Sequence, residues 1–185
     1  IHDSMGLSIP YNDYNGKLLF SAAPDASSKD SNQKLEKFLS HLEGLEAEGK
    51  LPCDLDLKKF RADLNKGMHF DSSIPQGFGV GSSGAIVAAI YDNYSQDKIA
   101  SDANMSNEKF IALKKIFGTL ESYYHGKSSG LDPLICYLNL PVLIKSKSEV
   151  GTVGLPDTST GKGAIFLMNT GTTGKTQPLV QQIGR

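Results

Sequence analysis

Four glycines in eight residues, Gly77, Gly79, Gly81 and Gly84, run directly into the apolar stretch Ala85-Ile86-Val87-Ala88-Ala89-Ile90-Tyr91. A helix apolar on nearly every side has to be buried, so residues 85–91 belong at the centre of a domain and the glycine loop must lead into it. Glycines at alternate positions adopt backbone conformations closed to other residues and let main-chain N–H groups converge without Cβ obstruction. The unpaired N–H groups and the positive dipole end of the following helix point at the same place, where Ser82 and Ser83 add hydroxyls. Such a loop suits a phosphate chain. A tight turn with a serine N-cap is the plainer alternative.

The rest of the chain supplies strands and helices around this centre. Residues 6–11 and Lys17-Leu18-Leu19-Phe20, separated by Asn12-Asp13-Tyr14-Asn15-Gly16, read as two strands around a turn, and residues 23–31 as a polar linker. Leu35, Phe38, Leu39, Leu42 and Leu45 recur at helical spacing, with Ser31 or Asp30 placed to cap the start and Gly49 the end. A short helix is expected over 56–66 and an extended segment over 69–74. Ser106 is placed to cap a helix with Phe110, Leu113, Phe117, Leu120 and Tyr124 on one stripe. Beyond the small-residue turn 125–130, residues 134–138, 141–144 and 164–168 read as strands, with a last helix after residues 170–174. Strands interleaved with helices predict an α/β or α+β domain.

Length and composition narrow the function. The chain has 185 residues, one domain or one domain and part of a second at about 100 to 200 residues each. With 39% hydrophobic and 21% charged residues it has a globular composition. A net charge of −1 and a pI near 6.5 give no field for gripping nucleic acid. Cys53 and Cys136 form neither a CxxC nor a disulfide framework, which predicts reduced, mostly buried thiols in a cytoplasmic setting. No apolar run approaches the roughly 18 residues of a membrane span, so a soluble protein without a membrane partner is expected.

Two literal motif matches carry little weight. Gly79 to Gly84 satisfies the dinucleotide pattern G-x-G-x-x-G, but Asp71-Ser72-Ser73-Ile74-Pro75 before it is a poor buried parallel strand. Gly174-Lys175-Thr176 has the tail of a P-loop, but its first glycine would fall on Asn169.

A second cluster follows the stripe. Helical geometry sets Glu121 beside Phe110 and Phe117, so its carboxylate faces the interior or its rim. Such a group wants a cation, either a lysine or arginine or a metal ion. Asp132 precedes Pro133, which biases it to the extended region at the mouth of the 134–138 strand; an Asx-turn is the alternative. His125 is assigned no chemical role. Phosphoryl transfer needs a phosphate cradle, a carboxylate and a hydroxyl for Mg²⁺, and a base near the attacking oxygen. The chain has residues for all three.

Pro75-Gln76-Gly77-Phe78-Gly79-Val80-Gly81-Ser82-Ser83 resembles the second motif of the GHMP small-molecule kinases, P-x-G-x-G-x-G-S-S. His125-Gly126-Lys127-Ser128-Ser129-Gly130-Leu131-Asp132 resembles H-G-x-x-S-G-x-D, the pattern of the members that phosphorylate mevalonate, with Glu121 four residues before the histidine. The likeness extends to Asn169-Thr170. It implies that Gly77, Gly79, Gly81, Ser82, Ser83 and Gly84 cradle ATP phosphates, that Ser83 and Glu121 hold Mg²⁺, that Asp132 is the base, and that Ser129 and Thr170 touch mevalonate. Phosphomevalonate is the alternative acceptor within the family, and a non-catalytic nucleotide-binding fragment the alternative outside it. The implied fold is a GHMP kinase N-terminal domain like ribosomal protein S5 domain 2 over residues 1–185, with a C-terminal domain beginning after about 160. The family's first motif, with a lysine on an opening strand, and its third, a C-terminal glycine-rich loop, have no counterpart here. The expectation is therefore roughly three fifths of a two-domain kinase, inactive alone, with exposed apolar surface that favours a homodimer or disordered edges.

Overall fold

The computed structural model describes residues 6–8, 16–21, 23–72, 81–102, 105–145 and 149–152. Along them run β1 (Gly6–Ser8), β2 (Lys17–Phe20), α1 (Ala26–Ala47), α2 (Leu57–Asn65), β3 (Met68–Asp71), α3 (Ser82–Tyr94), α4 (Asn107–His125), α5 (Leu131–Leu138), β4 (Val142–Ile144) and β5 (Val150–Thr152). The strands make two small antiparallel sheets, one ordered β1-β4-β5 and one β2-β3. Helices dominate, and the class is α+β.

The glycine-led helix is at the centre, as its composition demands. Ala85, Val87, Ala88, Ile90, Tyr91 and Tyr94 of α3 are buried, and the helix packs against α2, α4 and α5. Tyr91 is wholly enclosed, with Phe117 and Tyr137 edge-on to it at 5.1 and 5.2 Å between ring centroids. Its hydroxyl accepts from the Ile99 N–H at 2.9 Å, so the buried polar atom is satisfied. Of the expected α4 stripe, Phe110, Leu113, Phe117 and Leu120 are buried and Tyr124 is partly buried against the core, with Glu121 buried beside them.

Several expectations are corrected. Residues 134–138 are not a strand but most of α5. Pro133, Leu134, Ile135 and Leu138 are its buried residues, and a short apolar run of this kind does not by itself separate helix from strand. Pro133 in the first turn is tolerated because the N–H it lacks has no partner inside a helix there. Asp132 accordingly lies in the first turn of α5 and not in an extended strand mouth.

Residues 23–31 are not a linker, because α1 starts at Ala26. Its cap is neither Ser31 nor Asp30 but Asp25, whose carboxylate accepts from the Ser28 N–H at 2.7 Å. The polar residues of this first stretch serve a strand. Ser31 Oγ both donates to the Phe70 carbonyl and accepts from the Phe70 N–H at 2.9 Å, and Asn32 Nδ2 donates to the Leu64 and Met68 carbonyls.

The two opening strands do not pair around a turn. β1 pairs with β4, Ser8 opposite Val142, and β2 pairs with β3, Phe20 opposite Met68. A turn signal marks a reversal of the chain without naming the partner strand. β2 leaves Leu19 and Phe20 exposed.

Finally, Ser82 and Ser83 are not side-chain caps. Gly81, at φ +80°, is the N-cap of α3, and among the described residues no side-chain cap bond forms there. The expected extended segment over 69–74 appears as β3, with Ile74 outside the described residues, as are the expected strand over 164–168 and the last helix.

Candidate functional site

Gly81 turns the chain into α3, and Ser83 in the first helical turn aims its hydroxyl across at α4. There it donates to Glu121 Oε1 at 2.9 Å. Glu121 is 3% exposed because the periodicity of α4 sets it in the apolar stripe. Its second oxygen, Oε2, accepts from the Ser128 hydroxyl, so both carboxylate oxygens are held by serines. Among the described residues no lysine or arginine forms a salt bridge with it, which removes that expected partner. Burial pushes the Glu121 carboxyl above the ordinary carboxylate range. The Ser128 and Ser83 hydroxyls and the His125 charge oppose the rise, and the nearby Asp132 charge adds to it.

Asp132 reaches the same place from α5. A Cβ built on Gly84 would lie 2.8 Å from the Asp132 carbonyl carbon and Cβ and from the Pro133 nitrogen, and one on Gly81 would lie 3.9 Å from Asp132 Oδ2. Only glycine lets α5 seat this close at Gly84. Asp132 is exposed, its carboxylate beside the helix start. Ser83, Glu121 and Asp132, far apart in the chain, thus meet at one end of α3, with Gly81, Ser82 and Gly84 beside them. Ser129 is exposed next to the group, its hydroxyl accepting from the Leu131 N–H at 3.4 Å. Gly77, Gly79 and Thr170 lie outside the described residues.

Two members of the cluster carry no role in the sequence reading. His125 Nε2 lies 2.9 Å from Ser83 Oγ. Ser83 has one proton, which goes to the carboxylate as the stronger acceptor, so the network makes His125 Nε2 the donor to Ser83 Oγ. The signal was its spacing of four from Glu121, which places both on one helix face. Ser128 fills a variable position of the H-G-x-x-S-G-x-D pattern, and no spacing rule points to it.

The donors fit a hard divalent cation. Mg²⁺ prefers oxygen and is commonly bound by one or two carboxylates together with substrate phosphates. A buried carboxylate and a hydroxyl 2.9 Å apart suit that use. No group of three or more acidic, histidine or cysteine side chains forms a self-sufficient metal cage among the described residues.

A pocket of about 400 Å³ lies further along the same helices, lined by Ala85, Ala88, Asp92, Lys98, Cys136 and Tyr137 among others. Burial pushes the Cys136 thiol up to about 12, with Asp132 and Glu121 adding to the effect, and burial likewise pushes Cys53 up to about 12. Both cysteines are free. Among the described residues no helix is long and apolar enough to cross a membrane.

Residues 53–139 match the family model for the GHMP kinases N terminal domain. The matched segment, a little under half of the chain, contains the glycine loop, Ser83, Glu121 and Asp132. No curated protein and no solved structure matches the chain.

Proposed function

We propose that this chain is the nucleotide-binding part of an ATP-dependent small-molecule kinase whose acceptor is the primary 5-hydroxyl of mevalonate. The observation that carries the reading is the junction at the start of α3, where the Ser83–Glu121 pair and Asp132 face one another beside an open helix end. The uncapped N–H groups and the glycine loop bind and orient the phosphates. Ser83 and Glu121 would hold Mg²⁺, which supplies neutralising charge to the phosphate oxygens. Asp132 accepts the acceptor's hydroxyl proton as that oxygen bonds to the γ-phosphorus and the bond to the ADP oxygen breaks. The products are 5-phosphomevalonate and ADP. Mevalonate is favoured over other acceptors by the run from His125 to Asp132 with Glu121 before it.

A coupled ADP-release assay on the full-length protein tests this. Turnover with mevalonate is expected, with little or none on phosphomevalonate, galactose or homoserine. Turnover on one of those instead would move the acceptor within the family. Mg-ATP binding with no turnover on any acceptor would leave only a nucleotide-binding module.

A further inference from the structure

Ser128 occupies a position that the motif leaves variable, yet its hydroxyl has two partners that matter. It donates to Glu121 Oε2 and accepts from the Gly130 N–H at 2.9 Å. One hydroxyl therefore joins the buried carboxylate on α4 to the residue that opens α5, two positions before Asp132.

The turn carrying Ser128 has no slack. Gly130 sits at φ +74°, and a Cβ there would lie 2.1 Å from the Lys114 carbonyl oxygen. A Cβ on Gly118 would lie 3.2 Å from the Ser128 carbonyl oxygen. The turn is thus pressed against α4 over a full helical turn, and the Ser128 side chain can reach Glu121 without bending the chain.

A carboxylate with one oxygen tied to Ser83 can still rotate about its terminal torsion, which is broad for glutamate. Tying the second oxygen removes that freedom. We propose that Ser128 is a positioning residue: it fixes the plane of the Glu121 carboxylate for a divalent cation and couples that plane to the helix bearing Asp132. This rests on the kinase reading above. Groups that orient a metal ligand typically alter metal affinity by about 10- to 100-fold when removed.

The test is Mn²⁺ binding by the full-length protein in the presence of ADP, read from the electron paramagnetic resonance signal of free Mn²⁺, alongside ADP binding in chelator. Ser128→Ala is expected to weaken Mn²⁺ by about 10- to 100-fold while leaving chelator-phase ADP binding unchanged, and Ser128→Thr, which keeps the hydroxyl, to restore the metal affinity. A loss confined to folding would move both measurements together. Should Ser128→Ala not fold, Ser128→Cys keeps the size with a much poorer donor and is expected to show the same selective loss. Wild-type Mn²⁺ affinity in a folded Ala or Cys variant would overturn the role of Ser128 and leave the kinase reading standing. A wild-type protein that binds ADP without recruiting Mn²⁺ would overturn the metal assignment on which both depend.

Discussion

Four of the described helices begin in two ways. At α1 and α2 an aspartate side chain closes the end: Asp25 accepts from the Ser28 N–H, and Asp56 from the Lys59 N–H at 2.8 Å. At α3 and α5 the corresponding residue is a left-handed glycine, Gly81 at φ +80° and Gly130 at φ +74°, with no side chain of its own to cap the end, and at α5 the Leu131 N–H goes instead to the Ser129 hydroxyl at 3.4 Å. Ser106 gives no side-chain cap to α4 either, but it is exposed to water. The capped ends are peripheral. The two glycine-led ends face one another across Gly84 and Asp132, where the proposed chemistry needs open N–H groups and room for phosphate. Stability is thus served by the outer caps, while the start of α5 is tied to its own turn by Ser128 and Ser129 and the start of α3 is the end the proposed chemistry uses.

The largest test of that division is Asp132→Asn. It removes the proposed base with almost no change in shape, so the ADP-release rate of the full-length protein should fall by about 10²- to 10⁴-fold with the unfolding midpoint nearly unchanged. An unaltered rate would reduce Asp132 to a packing residue.

Next is the contrast between two left-handed glycines. At Gly130 an added Cβ meets backbone, the Lys114 carbonyl oxygen at 2.1 Å and the Gly118 nitrogen at 2.6 Å, whereas at Gly49, φ +66°, it meets nothing within 4 Å. Gly130→Ala should therefore cost about 3 kcal/mol or more in urea unfolding. Gly49→Ala should cost only the conformational penalty of about 1–2 kcal/mol. Equal losses would show that packing of the 126–130 turn on α4 contributes little.

How far the sequence announces these features depends on distance along the chain. The burial of 85–91 and the inward face of Glu121 are local properties of composition and periodicity, and both are legible. The start of α1 is not, because Ser31 and Asn32 are polar in order to bond the backbone of β3 and of the end of α2, more than thirty residues away. Residues 134–138 mislead for another reason. Leu-Ile-Cys-Tyr-Leu is apolar in either conformation, and α5 is chosen by Gly130 and by the packing of Leu134, Ile135 and Leu138. The motif residues Ser83, Glu121 and Asp132 can be named in advance, but the serine that holds the other side of Glu121 cannot, since Ser128 bonds it through a turn whose path only the fold fixes.

A smaller effect is expected at an outer cap. Asp56→Ala removes a side-chain acceptor at the start of α2, far along the chain from the cluster, and should cost about 1 kcal/mol. Its turnover should match the wild type at a temperature where both are folded. A drop in rate without a drop in stability would break the division between capping ends and working ends.

The smallest effect is a pH dependence at Asp25. The backbone N–H of Ser28, with further help from the Ser28 side chain, holds the Asp25 carboxyl below its ordinary value. A carboxylate whose folded value is lowered stabilises the fold above its unfolded value, and that contribution is lost as pH falls through the folded one. Asp25→Ala should therefore be slightly less stable than wild type at pH 7, and the gap in urea midpoint should close as the pH drops below the ordinary carboxylate range. No such dependence can arise from a cap at Gly81, which has no side chain to titrate. A gap that persisted unchanged at low pH would mean that Asp25 acts by shape alone, and that the two kinds of helix start differ less in electrostatics than their geometry implies.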